Sequence, residues 1–351
     1  MTQMTQICAD QKEMMSRNLA MVLTPKGVGA IGVVRLRGEG VESFLGTYFS
    51  RKVIEGRCVH GEIRDADVVL DDAVVVRGGD FVDLNLHGGV WVVRAVLELA
   101  EREGFEVIED ALEMMDGGTV LEREVMAALP RAGTNLAIRA LLSQMEAWKS
   151  VRKEDAAGIM KDESLWWLLH PPRVAIVGIP NVGKSTLANQ LFARERSIVA
   201  DVAGTTRDWV GELANIDGLM VMLVDTPGIR GMGDEIEREA IERSGEEVRG
   251  ADLVIVVLDQ TQGREGQMEL VRKYPGAVVV VNKVDRAGEW KAGDGIRMVA
   301  IRGEGVEELR REIRRRFGVE GMEVRRARWW TERQREILGG VARGERSLNE
   351  M

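Results

Sequence analysis

The most specific chemistry in the chain lies in eight consecutive residues. Gly178, Ile179, Pro180, Asn181, Val182, Gly183, Lys184 and Ser185 fit the pattern G-x-x-x-x-G-K-[ST], with Thr186 following. Glycines in such a loop let main-chain N–H groups wrap a di- or triphosphate. The lysine then meets the β and γ oxygens, and the adjoining hydroxyl is a ligand for Mg2+. Three further signals follow in order. Asp225-Thr226-Pro227-Gly228 ends a strong apolar run, where a carboxylate reaches the Mg2+ shell and the Gly228 N–H meets a γ-phosphate. Asn282-Lys283-Val284-Asp285 ends a later run, and Asp285 there can accept both N1–H and N2–H of guanine, a donor pair that adenine lacks. Between them stands Gly204-Thr205-Thr206-Arg207-Asp208, whose threonine would ligate Mg2+ only with the γ-phosphate present, as a switch does. The nucleotide expected is GTP.

These residues need elements that bring them together. Arg173–Gly178, Met220–Asp225, Leu253–Leu258 and Ala277–Val281 read as strands, separated by helical patterns at Glu235–Arg249, Gly266–Lys273 and Val306–Phe317, with a helix starting at Lys184. Strands alternating with helices imply βαβ units, and continuous Val/Ile runs fit strands covered on both faces. The expected fold class is α/β, a P-loop GTPase domain with a doubly wound, mostly parallel sheet. The first 110 residues read as α+β, with strands at Met21–Thr24, Ala30–Leu36, Val68–Val76 and Phe81–Leu86 before a helix at Gly89–Gly104. Thr134 reads as the N-cap of a further helix, on which Ile138, Leu141, Leu142, Met145, Trp148 and Val151 are expected to share one face. The expected domains are 1–110, a first helical part at 111–170, the P-loop domain at 171–317 and a second helical part at 318–351, the helical parts forming one short domain into which the P-loop domain is inserted. Trp166, Trp167, Trp329 and Trp330 flank the P-loop domain and are expected to supply that helical domain's core.

Composition narrows the class. The chain has 351 residues, with 45% hydrophobic and 30% charged residues and a net charge of −9, ordinary for a globular protein. No apolar run nears the ~18 residues of a membrane span. The polar first 20 residues lack a signal-peptide core, and two cysteines, Cys8 and Cys58, make neither a disulfide framework nor a zinc site alone, so a cytoplasmic setting is expected. The exception to the acidic balance is Arg310–Arg346, with twelve arginines against six glutamates, net +6. It reads as a solvated helical face laced with Glu–Arg pairs or as a surface facing tRNA phosphates.

The set GIPNVGKST, AGTTRD, DTPG and NKVD resembles a translation-factor-class GTPase. The stretch DTPGIRGMGDEIEREAIERS resembles the MnmE (TrmE) tRNA-modification GTPases, as do Thr24–Arg35 (TPKGVGAIGVVR) and Asp83–Gly89 (DLNLHGG). The tail Arg325–Leu338 resembles that family's C-terminal helical segment more weakly, and the likeness covers roughly three quarters of the chain. It implies GTP hydrolysis with Mg2+ held by Ser185, Thr206 and Asp225, and with K+ held by Asn181, Thr205 and the carbonyls of Ala200 and Val202. Ile229 stands where Ras-like enzymes carry the water-orienting Gln, and the resemblance gives that role to Glu237, with Lys184 the other catalytic residue. It also implies an N-terminal module resembling folate-binding domains, which dimerises and binds a tetrahydrofolate derivative through Arg35 and Asp83, with Asp83 one methylene shorter than the usual Glu. A homodimer, an MnmG-like FAD protein and tRNA are the implied partners, in tRNA wobble-uridine modification. The alternatives are a ribosome-assembly GTPase of the Era/Der kind, using the basic tail, and a regulatory GTP-binding protein without modification activity.

The chain departs from that family in places. The segment PGEFTxRAFLNGKLDL has no counterpart around residues 109–130, the base-side SAK motif is replaced by Val299-Ala300-Ile301, and the last residues, Leu348–Met351, hold no C-x-G-K. The departures leave the GTPase chemistry whole and weaken the expectation of modification chemistry.

Overall fold

The computed structural model describes residues 17–24, 29–108, 112, 114–115, 118–192, 211–224, 248–291 and 293–350. Its contacts divide into two units, parting between Pro130 and Arg131. Secondary structure is mixed α/β in both.

The first unit runs β1 (Leu19–Val22), β2 (Ile31–Arg37), α1 (Val41–Tyr48), β3 (Cys58–Asp65), β4 (Val68–Gly78), β5 (Phe81–His87), α2 (Val90–Arg102), β6 (Glu106–Val107) and α3 (Val120–Ala128). The strands form one sheet in the order β3-β4-β5-β2-β1-β6, antiparallel except where β1 meets β6. Strict alternation sets its faces. Val82, Leu84 and Leu86 of β5 enter a core with Val34, Leu36, Ala73 and Val75, closed by Val96, Leu99 and Ala100 of α2 and by Phe44 of α1. The opposite face carries Leu19 and Met21, packed with Met114.

Three features of this unit differ from expectation. β3 and α1 carried no clear signal. β3 buries only Gly61 and Ile63 of its eight residues, so its alternation is faint. α1 follows Gly40, which offers no side-chain cap. The third difference is the boundary: Met114 and α3 belong with the first unit, so the break falls later than residue 110.

The second unit runs α4 (Asn135–Ala147), α5 (Ala156–Met160), α6 (Ser164–Leu169), β7 (Arg173–Val177), α7 (Lys184–Phe192), β8 (Gly211–Ile216), β9 (Leu219–Val224), β10 (Leu253–Asp259), α8 (Arg264–Lys273), β11 (Val278–Asn282), β12 (Ile296–Arg297), α9 (Val306–Arg316) and α10 (Glu332–Arg343). Its sheet has the order β12-β11-β10-β7-β9-β8. All pairs are parallel except the edge hairpin β8–β9. The expected mostly parallel sheet is therefore observed, with one antiparallel edge. Strand order reverses at β7, and in such sheets ligands sit at the carboxyl ends of the strands beside that point.

The helices on either side of this sheet in sequence share one core. Ala156, Ile159, Ala327, Trp329, Ile337, Leu338 and Val341 pack together, with Trp148 and Trp166 against them. The Trp166 and Trp329 rings lie 5.5 Å apart and those of Trp167 and Phe317 5.2 Å. Thr134 caps α4, its Oγ1 accepting the Ala137 N–H at 3.2 Å. The expected apolar face of α4 is corrected, however. Ala137, Ala140, Leu141 and Gln144 are buried, while Ile138, Leu142 and Met145 are exposed. Gln144 takes the inner face because its amide saturates main chain: Nε2 donates to Ala140 O and Arg326 O, and Oε1 accepts the Arg328 N–H.

Candidate functional site

The carboxyl ends of β7, β10 and β11, neighbours in the sheet, supply the described part of the site. β7 delivers Gly178 against β10 so closely that a Cβ would stand 2.5 Å from the Val257 carbonyl oxygen. The loop then turns through Asn181 (φ 62°) and Gly183 (φ 98°) into α7, which begins at Lys184. A Cβ on Gly183 would lie 2.4 Å from Asn282 Nδ2. A helix N-terminus entered by such a loop presents main-chain N–H groups to an anion. Val182 is buried beneath the loop, and Ser185 and Thr186 sit half-buried in the first turn of α7.

Lys184 is folded into its own loop. Nζ donates to Gly178 O at 2.8 Å and to Ile179 O at 3.0 Å, and burial pushes its pKa below the ordinary lysine value. A cation stripped of water in this way has the most to gain from a phosphate.

Two of the expected base-recognition residues, Asn282 and Lys283, are bonded to this loop. Asn282 Nδ2 donates to Val182 O at 2.7 Å, while Asn282 Oδ1 accepts the Ala300 N–H at 2.9 Å. Lys283, also at positive φ (60°), donates from Nζ to Asn181 O at 2.8 Å. The Asp285 carboxylate lies 3.5 Å from Arg302 Nη1. Asn282 and Lys283 are thus joined to the main chain of Val182 and Asn181, in the loop from which Gly183, Lys184, Ser185 and Thr186 lead into α7. Thr205, Thr206, Asp225, Gly228, Glu237, Ala200 and Val202 lie outside the described residues.

Asp259 was not singled out from the sequence, and it belongs here. It closes β10, and its carboxylate accepts Lys283 Nζ at 2.6 Å. Burial raises its pKa, but the bonds from Lys283 and Thr261 outweigh that and hold it below the usual carboxylate value. The available signal was a lone acid ending an otherwise apolar strand.

The first unit places Arg35 and Asp83 on facing positions of β2 and β5. The structure joins them to each other. Arg35 Nε and Nη2 donate to the two Asp83 oxygens at 2.7 and 2.8 Å, Nη1 donates to Met114 O at 2.9 Å, and the guanidinium lies 3.8 Å from the Phe81 ring centre. Each of the two charges is thus answered by the other. At the end of β5, His87 Nδ1 lies 2.7 Å from Asp71 Oδ1, and this bond raises the histidine pKa.

The chain is similar to known GTPases. Residues 173–283 match the family described as 50S ribosome-binding GTPase. The chain is 32% identical over 370 residues to the tRNA modification GTPase MnmE of Aquifex aeolicus, covering 87% of this chain and 83% of that protein. It is 28% identical over 366 residues to the tRNA modification GTPase MnmE of Lactococcus lactis, covering 85% and 80%. Among solved structures, a variant of Era from Aquifex aeolicus bound to GDP·AlF4− is 31% identical over 40% of this chain and 55% of that one, with a TM-score of 0.31.

Proposed function

The chain belongs to the family of tRNA modification GTPases MnmE, and from that membership we propose that its GTP hydrolysis is a conformational switch serving tRNA wobble-uridine modification. The observation that carries the proposal is the clasp between the two ends of the site. Asn282 and Lys283 hold the main chain of Val182 and Asn181, so the loop suited to phosphates and the loop suited to guanine are hydrogen-bonded to each other.

In this reading main-chain N–H groups of the Gly178–Ser185 loop, in which Pro180 has none, bind the phosphate chain. Lys184 leaves the carbonyls of Gly178 and Ile179 for the β and γ oxygens. Asp285 accepts the two guanine donors. Mg2+ would be held by Ser185, whose hydroxyl is a hard ligand at the start of α7, together with Thr206 and Asp225, and would neutralise phosphate charge. K+ would be held by Asn181, Thr205 and the carbonyls of Ala200 and Val202, supplying the positive charge that other GTPases take from an arginine. Glu237 would orient the attacking water, since Ile229 cannot hydrogen-bond to it. A homodimer, an MnmG-like FAD protein and tRNA are the partners of this reading, in the cytoplasm. No helix among the described residues is long and apolar enough to cross a membrane.

Calorimetry with GTP, GDP and ATP tests the site: guanine nucleotides are expected to bind and ATP to give no heat. Turnover in K+ against Na+ tests the switch chemistry. A severalfold gain in K+ is expected, and equal rates would remove Asn181 from a cation site. Analysis of tRNA wobble uridines in a deletion strain tests the pathway, with normal modification counting against it.

A further inference from the structure

Asp259 is fully buried, a position that a carboxylate occupies only when its charge is answered. Four donors answer it: Lys283 Nζ at 2.6 Å, Thr261 Oγ1 at 2.7 Å, the Thr261 N–H at 2.9 Å and Gln262 Nε2 at 3.3 Å. The turn that follows is itself pinned. Gln267, buried on α8, accepts the Asp259 N–H at 2.7 Å, and its Nε2 donates to the carbonyls of Asp259, Gln262 and Gly263. Asp259 also stands directly opposite Asn282 in the β10–β11 ladder. A rigid turn thus aims one buried anion at one lysine.

That lysine has a second partner, the Asn181 carbonyl of the phosphate loop. A carbonyl alone would leave an ammonium on a flexible four-carbon stem poorly fixed. A charge-assisted bond to a buried carboxylate fixes it. We infer that Asp259 is a positioning residue for nucleotide binding. Acting through Lys283, it keeps the phosphate loop and the base loop in register, so that Gly178–Ser185 and Asp285 grip the two ends of one nucleotide together. The inference rests on the nucleotide-site reading above and adds to it a residue that works through another side chain.

The test is a double-mutant cycle on the full chain. Asp259→Asn, Lys283→Gln and the double variant are titrated with GDP and GTP by calorimetry, and turnover is followed against GTP concentration at fixed Mg2+ and K+. Asp259→Asn is expected to raise Kd and KM roughly tenfold, the scale of a lost charged hydrogen bond, with kcat at saturation within about twofold. The double variant is expected to bind no more weakly than Lys283→Gln alone, because the two residues act in series. Additive losses, or an unchanged Kd with a lowered kcat, would overturn the inference. If Asp259→Asn does not fold, Thr261→Val, which removes one donor and leaves the charge, should raise Kd about threefold; unchanged affinity would overturn it equally. A wild-type chain that binds no guanine nucleotide defeats the site reading itself. A binding wild type beside an Asp259→Asn variant of equal affinity defeats only the positioning role.

Discussion

Lys184 and Asp285 belong to different loops and are expected to fail in different ways when changed. Lys184 is the cation already desolvated beside the loop carbonyls, so Lys184→Ala should lower GTP turnover at least ~100-fold without altering the circular-dichroism spectrum. Asp285→Asn should leave turnover chemistry in place and move preference from guanine toward xanthine nucleotides. Competition titration reads this directly, and an unchanged preference would remove Asp285 from base recognition. His87 contributes a pH dependence to the first unit. Its bond to Asp71 favours the imidazolium, so the folded pKa lies above the unfolded one. The stabilisation is therefore complete below the ordinary imidazole value of about 6.5 and fades as pH rises through the raised value. In an NMR titration Asp71→Asn should bring the His87 midpoint back toward that ordinary value.

At the scale of the element, α4 shows both what a cap does and where hydropathy misleads. Thr134 Oγ1 accepts the Ala137 N–H and also donates to the Gly218 carbonyl at 2.8 Å, tying the helix start to the β8–β9 turn. Thr134→Ala should cost about 1 kcal/mol for the cap and more for the orphaned carbonyl. Thr134→Ser should cost less, as urea unfolding can show. The cap was legible because a hydroxyl one residue before a helix has few other uses. The buried face was not. Ala137 and Ala140 are fully buried although small, and Gln144 reaches a carbonyl almost two hundred residues away, two features that a count of large apolar side chains overlooks.

Across the whole molecule, tryptophans and two arginines near the C-terminus serve the interior. Trp329 is fully buried and bonds through Nε1 to Met160 O at 3.1 Å, so Trp329→Ala should cost about 3–5 kcal/mol in the second unit. Arg310 and Arg328 are buried as well, held by Asp217 and the Leu191 carbonyl in one case and by Asp162 and Ser164 in the other. Arg315 and Arg316 share Glu312, and Arg346 pairs with Glu350. Charges answered within the chain release few counterions from RNA. Arg315→Gln together with Arg316→Gln should therefore leave tRNA affinity within about twofold. A tenfold loss with a shallower salt dependence would assign this face to RNA.

Local rules were enough to find the phosphate loop, its strand and helix, the base-loop motif and the parallel sheet, because each depends on neighbours within a few residues: glycines that permit positive φ, apolar runs, a lysine at a helix start. The sequence by itself also held every residue of the Asp259–Lys283–Asn181 chain, but not their union. That union, like the Arg35–Asp83 pair and the inward face of α4, exists only where strands far apart in sequence lie side by side. A buried charge finds its partner through distance in space, a quantity that spacing along the chain does not contain.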